Sequence, residues 1–341
     1  MWKKIASLHR KIAPELIAVI EQRYEILRNI QYSEPIGRRA LATELGQSER
    51  VIRAQVDFLK NAGLVEFTPI GMTITAEGQL MQSNLSEYIK LLHGLTMLET
   101  ELSEKLGIKQ VIIVPGDSEI NPMIAKELGR TTANLLAQYL NDRNMIVAVS
   151  GGTVMANVAE AIHFTQPTVT VVPVRGGLGT QVEYQANTVA AIMATKLGGK
   201  YRMLHVPDGV SEEMISAIYA DNSNILSVTE MIKKADVLIH GIGQAQVMAV
   251  RRGCDDEFVA QLISSGAVGE ALGHYCTLTG KNIYITSSVG LQLDDLADIG
   301  LVIAVAGGRK KAEAIVGVIS AGGQDVLITD ESAARAIQSI I

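Results

Sequence analysis

The chain has 341 residues and little of what holds small or secreted domains together. Its two cysteines, Cys254 and Cys276, form no Cys-x-x-Cys pair, which excludes a disulfide framework and a cysteine-based zinc site. Six histidines stand singly, without metal-ligand spacing, so no bound metal is expected. Aromatics make up 4% of the chain and prolines number eight, so the core must be built from Ala, Val, Ile and Leu, as in parallel sheets buried on both faces. No apolar run is long enough to span a bilayer, and the opening segment MWKKIASLHRKIAPE lacks the apolar stretch of a signal peptide. A soluble cytoplasmic protein is expected. Neither GxxxxGK[ST] nor GxGxxG occurs, so no nucleotide cofactor, and indeed no cofactor, is expected.

What is present is unevenly spread. Residues 1–60 hold eleven Lys or Arg against seven Asp or Glu, a net of +4, so the rest of the chain carries −10 of the total −6. A basic head on an acidic body suits a local DNA footprint.

That head reads as a DNA-binding unit. Leu16, Ile20, Ile26, Leu27 and Ile30 lie near helical spacing over 15–31, with Pro14 suited to the first turn. Pro35 and Gly37 end this helix. RRALATELG predicts a second, short helix stopped by Gly46, and Ser48 can cap a third that buries Ile52, Val56 and Leu59. The exposed face of the third helix carries Glu49, Arg50, Arg53 and Asp57. In a helix-turn-helix, Arg50 and Arg53 can bond guanine edges or phosphates, and Arg38 and Arg39 suit the DNA backbone. LVEFTPIGMTITAEG reads as the hairpin of a winged helix. Residues 76–107 read as one long helical linker with Leu80, Leu85, Ile89, Leu92, Leu95, Leu98 and Leu102 as its stripe. The expected division is 1–75 winged helix-turn-helix, 76–107 linker and 108–341 effector domain.

From residue 110 strands and helices alternate. QVIIVPG, MIVAVSG, TVTVVPVRG, YRMLHVP, ADVLIHGIG, LVIAVAGG and DVLITD read as strands, with helices at 123–140 and 186–197 among those between them. This predicts an α/β fold with a doubly wound, Rossmann-like sheet, whose ligands sit at the carboxyl ends of the strands. Three such ends are glycine-rich: VAVSGGT (147–153), VVPVRGGLG (171–179) and VIAVAGGRKK (302–311). Backbone amides at Gly151-Gly152-Thr153 and at Gly307-Gly308, with Arg175 and one lysine of Lys310-Lys311, suit phosphate. Asp294-Asp295 reads as a helix cap rather than a general base or metal site.

The motifs EPIGRR, LGQSERVIRAQVDFLK, VAVSGGT, VPVRGGLG, QANT, HGIG, VGLQLDDL and VAGGRKKAEAI occur in this order over nearly the whole chain. Together they resemble sugar-binding transcriptional regulators of the SorC type. The resemblance implies a winged-helix repressor of glycolytic genes whose effector domain is related to sugar-phosphate isomerases. It implies fructose 1,6-bisphosphate or a related hexose phosphate as inducer. Operator DNA and further copies of the chain, in a homo-oligomer (dimer or tetramer), are the expected partners. The effector-binding positions it implies are Gly151, Gly152, Thr153, Val154, Arg175, Gln185, Arg251, Arg252, Glu270 and Lys311. Val154 departs from the pattern, standing where a second Thr is expected. The DNA-binding positions are Arg38, Arg39, Ser48, Glu49, Arg50 and Arg53. No catalytic residue is implied. The rival reading is a sugar-phosphate isomerase or hydrolase with an accessory DNA-binding domain, for which Glu270 or Asp294 is the candidate base.

Overall fold

The computed structural model describes residues 11–177, 181–209 and 211–341, with the backbone alone at 212, 219–221, 293 and 294. It divides into a first unit ending at Met97 and a second from Leu98 to Ile341. Among the described residues no helix is long and apolar enough to cross a membrane.

The first unit opens with α1 (Pro14–Ser33), where proline occupies the first turn and needs no hydrogen-bond acceptor. After α2 (Arg38–Glu44), Gly46 at φ +61° turns the chain into α3 (Glu49–Asn61). Ser48 caps α3, its Oγ accepting from Val51 N at 3.4 Å. A hairpin follows, β1 (Val65–Thr68) against β2 (Gly71–Ile74), and Ile36 adds a bridge to Met72. Then comes α4 (Ala76–His93). Ile52, Val56 and Leu59 are buried with Ile26, Leu27, Ile30 and Leu41, as their spacing predicts. Leu16 and Leu80 are instead exposed, because the start of α1 and that face of α4 lie outside this core. The expected single linker helix is broken: Gly94 at φ +72° ends α4, and α5 (Leu95–Leu106) begins anew.

The second unit continues with β3 (Gln110–Val114), α6 (Pro122–Tyr139), β4 (Ile146–Val149), α7 (Thr153–Glu160), β5 (Thr170–Pro173), α8 (Ala186–Leu197) and β6 (Lys200–Tyr201). Next are α9 (Glu212–Asp221), α10 (Ser223–Lys233), β7 (Val237–Gly241), β8 (Gly243–Gln244), α11 (Ala245–Arg251) and α12 (Asp256–Ser264). The chain closes with β9 (Ala267–Ala271), β10 (His274–Thr277), β11 (Asn282–Ile285), β12 (Leu301–Val305), α13 (Ala312–Ala321), β13 (Val326–Asp330) and α14 (Glu331–Ile340).

Seven strands form one sheet in the order β3-β13-β12-β7-β4-β5-β6, each neighbouring pair parallel. Strand alternation serves two cores. Val147, Val149, Val171, Ile239 and Ile303 pack with Leu128, Val158 and Met193 of the helices on one face. Ala148, Val172, Leu238 and Val302 pack with Ile225, Val228 and Ile232 on the other. Both faces are covered, which is why these strands read as near-continuous apolar runs. From β4 the chain winds outward through β5 to β6; from β7 it winds the opposite way through β12 to β13. The reversal between β4 and β7 opens a crevice at their carboxyl ends.

Two expectations for this unit need correction. YRMLHVP is a strand only at its start, since β6 ends at Tyr201. A second, antiparallel sheet, β11-β10-β9-β8, went unseen in the sequence. Its strands are short, and its β9–β10 turn is Leu272-Gly273, with φ of +52° and +83°. Both central residues are left-handed, as a tight hairpin requires, without the Asn-Gly pair that would announce it.

Candidate functional site

The crevice between β4 and β7 is a cavity of about 460 Å³, and all ten effector positions expected from the sequence line it. They arrive from far-apart segments: the β4–α7 turn, the end of β5, the start of α8, the end of α11, β9 and the segment before α13.

One end of the cavity is built for an anion. Gly151 must be glycine, since a Cβ there would stand 2.5 Å from the Tyr184 carbonyl. Gly152 at φ +113° turns the chain into α7, and no side chain caps that helix. The first amides of α7, from Thr153, Val154 and Met155, have no helical acceptor, and the helix dipole adds positive potential there. Lys311 and Arg251 also line the cavity, near enough for their charges to act on each other. Among the described residues neither makes a hydrogen bond or an ion pair. Burial, and then the Arg251 charge beside it, hold the Lys311 ammonium below the usual lysine range.

The other end is already neutral. The Arg175 Nη2 and Nε donate to Asp208 Oδ1 at 2.8 and 3.2 Å, and its guanidinium also meets the carbonyls of Leu272 and Thr286. Arg252 meets Asp208 Oδ2 at 3.3 Å, Glu270 Oε1 at 2.9 Å and the Tyr275 hydroxyl at 2.8 Å. Burial alone would lower the Arg252 pKa, but Glu270, Tyr275 and Asp208 outweigh it and raise it. The sequence reading left Arg175 open toward a ligand anion; the structure shows its donors engaged.

A second correction concerns the glycine-rich ends. Gly308 N donates to Asp330 Oδ2 at 2.8 Å and Lys310 N to Glu119 Oε1 at 2.9 Å, so that loop offers the cavity Lys311 rather than a cradle of amides. Gly176 allows close approach of the Val206 carbonyl, 2.2 Å from where its Cβ would stand. Leu178 and Gly179 of that motif lie outside the described residues. The β4–α7 turn, which also lines the cavity, has no side-chain cap on the amides that open α7. Asp295 accepts from Gln292 N at 2.9 Å as a cap, while the Asp294 side chain lies outside the described part. Glu270, nominated as a base in the rival reading, accepts from Arg252 and from Gly273 N at 2.6 Å and is held as a counter-ion.

The first unit sorts its cations similarly. Glu49 lies between Arg39 and Arg53, at 3.6 and 3.7 Å. Ser48 is spent as the cap of α3. Arg50 makes no ion pair or hydrogen bond among the described residues. The Arg38 Cζ and Lys60 Nζ lie 5.6 and 4.7 Å from the Phe67 ring centroid, so a basic pair is seated on one aromatic of the hairpin.

The comparisons follow this division. A model described as the CggR N-terminal DNA binding domain matches residues 19–89, and one described as a sugar-binding domain matches residues 91–339. The chain belongs to the SorC family of sugar-binding transcriptional regulators. It is 42% identical over 335 residues to the central glycolytic genes regulator of Priestia megaterium, covering 98% of each chain. It is 43% identical to the protein of the same name in Bacillus subtilis, covering 97% of this chain and 98% of that one. The crystal structure of a SorC family transcriptional regulator from Enterococcus faecalis aligns with TM-score 0.66 and 37% identity, over 71% of this chain and 99% of the other. As a SorC-family member the chain is a DNA-binding transcriptional regulator with a sugar-binding domain, not an enzyme.

Asp208, Tyr275 and Asp330 escaped the sequence reading of this SorC protein. Nothing local flags Asp208 or Tyr275, because their partners are contributed by other segments. Asp330 is the cap of α14 and also takes the Ser118 and Gly308 amides, at 2.9 and 2.8 Å. Its place at the end of a parallel strand, before a helix, was a usable signal. Val247 and Met248 also line the cavity; they stand one turn before Arg251 and Arg252 on α11, a spacing that could have exposed them.

Proposed function

We propose that this protein is a cytoplasmic repressor of glycolytic genes whose grip on operator DNA is relieved by fructose 1,6-bisphosphate or a closely related hexose phosphate. The observation that carries this reading is the cavity at the β4–β7 reversal, lined by an uncapped helix start, Lys311 and Arg251. Its volume, about 460 Å³, suits a compact sugar phosphate. Two relatives above 40% identity, each named central glycolytic genes regulator, support the choice of genes.

In this reading one phosphate accepts from the Thr153 and Val154 amides and the Thr153 hydroxyl, and meets Lys311 and Arg251. Val154 in place of a second Thr leaves one hydroxyl fewer there. Gln185 and Glu270 face the sugar hydroxyls. A second phosphate reaches Arg175 and Arg252. The winged helix sets α3 in the major groove, with Arg50 and Arg53 toward base edges and Arg38 and Arg39 on the backbone. Assembly as a dimer of dimers raises affinity through effective concentration. The sugar weakens repression by binding more tightly to the assembly that holds DNA less well.

The test is operator binding measured with increasing fructose 1,6-bisphosphate, beside a thermal-shift series of phosphorylated sugars. A rise in the unfolding midpoint with loss of operator affinity is expected. Operator affinity that does not respond to any sugar phosphate refutes the reading.

A further inference from the structure

The cations that line the cavity differ in charge balance. Arg251 and Lys311 have no carboxylate within ion-pair distance among the described residues, and Asp330 and Glu119 act on Lys311 only from further off. Arg175 and Arg252 are instead matched by two carboxylates, all with side chains under a tenth exposed. A bisphosphate cannot use that pair as an open cationic site. It must compete with a carboxylate already there.

The two carboxylates are not equally fixed. Glu270 stands in β9, paired with Tyr275 and Gly243, and also accepts from the Gly273 amide at 2.6 Å. Asp208 lies outside any strand or helix, between β6 and α9, its amide donating to the Gly177 carbonyl at 2.9 Å. Its two oxygens divide between the arginines, Oδ1 to Arg175 and Oδ2 to Arg252. That is the bridging place a phosphate would take. The Asp208–Arg252 contact, 3.3 Å, is also longer than the Glu270–Arg252 contact of 2.9 Å.

We propose that Asp208 is the residue by which this protein distinguishes singly from doubly phosphorylated sugars: its carboxylate holds the bridging position between Arg175 and Arg252 until a second phosphate displaces it. A phosphate dianion brings more charge and a third oxygen to the same two guanidinium groups. A sugar monophosphate fills the α7 end and leaves Asp208 in place. A bisphosphate expels the carboxylate and loosens the Gly177–Pro207 bridge beside it. The link from ligand to protein conformation therefore runs through the second phosphate alone.

This inference rests on the sugar-phosphate reading of the cavity, and the experiment separates the two. Titration calorimetry is carried out on the full chain with fructose 1,6-bisphosphate and with fructose 6-phosphate, for wild type and Asp208→Asn. The asparagine keeps the shape and removes the competing charge. Bisphosphate affinity is expected to rise about tenfold and monophosphate affinity to change less than about threefold, given what close buried charge pairs contribute. An equal change for both ligands, or none, overturns the assignment. Hydrogen exchange on wild type gives an answer that does not require the variant to fold: the Asp208 amide should lose protection with the bisphosphate and keep it with the monophosphate. Equal protection with the two ligands also overturns it. If neither sugar binds wild type, the sugar-phosphate reading itself fails; if both bind and Asp208 is indifferent, only this inference does.

Discussion

Arg175 donates a hydrogen bond to the carbonyl of Leu272, the one non-glycine residue with positive φ among those described. Leu272 at φ +52° is in a conformation that a branched side chain seldom adopts, and its neighbour Gly273 leaves no room for a Cβ against the guanidinium. The arginine thus joins the parallel sheet to the tight turn of the antiparallel one, at the edge of the cavity. A backbone in a costly conformation persists only where its surroundings hold it.

Arg175→Lys tests that junction. Lysine keeps the charge and loses the planar fork that reaches Asp208, Leu272 and Thr286 together. Breaking a buried pair of this kind costs about 3 kcal/mol. The expected result is a lower denaturant midpoint with an unchanged slope. A midpoint equal to wild type would show that the fork contributes nothing to the fold.

Lys311→Met separates binding from stability. The lysine has no ion-pair partner among the described residues, and burial already disfavours its charge. Folding stability should hold or rise slightly, because burial disfavours that charge more than Asp330 and Glu119 favour it. Affinity for fructose 1,6-bisphosphate should fall roughly 10- to 100-fold, the range for a charge-assisted hydrogen bond. Calorimetric titration beside a thermal melt reads both, and undiminished affinity would remove Lys311 from the anion end.

Phe67→Leu addresses the DNA-binding unit. The ring seats Arg38 and Lys60, and each exposed cation–π contact contributes about 0.5–1 kcal/mol. Operator affinity should fall several-fold while its dependence on salt is kept, since both cations remain. Lys60→Ala should instead flatten the plot of log affinity against log salt by about one unit, as loss of one phosphate contact does. Phe67→Trp should restore binding. Identical salt slopes in wild type and Lys60→Ala would place Lys60 off the DNA.

His240 predicts a pH dependence. It is fully buried before the Gly241–Gly243 turn, its Nδ1 hydrogen-bonded to the Gly241 carbonyl at 3.0 Å. Burial lowers its pKa from 6.5 to about 4, against that hydrogen bond. Above 6.5 the ring is neutral folded or unfolded, and its contribution is complete. As the pH falls from 6.5 toward 4 only the unfolded chain takes up the proton, so stability is lost, by about 3 kcal/mol over the window. Chemical denaturation at pH 7.5, 6 and 5 should show the loss, reduced in His240→Gln. Parallel curves for the two proteins would assign the acid sensitivity elsewhere.

Helix and strand positions were legible wherever periodicity is local. Ile52, Val56 and Leu59 lie on one face of a single helix, and six of the seven apolar runs are strands of the parallel sheet, YRMLHVP touching β6 only at Tyr201. The antiparallel sheet was not legible, because β9 to β11 break their apolar pattern with polar residues and, in β9, with glycine. Gly269 shows the cause: a Cβ there would meet the Ala314 carbonyl at 2.6 Å, so the residue answers to α13, about 45 positions away.

For the candidate site the division is similar. The order of residues was enough to give the winged helix, the doubly wound sheet and the positions that gather at its carboxyl edge, since hydrophobic period and glycine turns are properties of neighbours along the chain. Only the folded molecule decided which cations are committed. Arg175 and Arg252 meet Asp208, whereas Arg251, one residue from Arg252, meets no carboxylate among those described. Electrostatic partners are set by distance in space, and in a sheet whose strand order reverses, spatial neighbours are not neighbours in sequence.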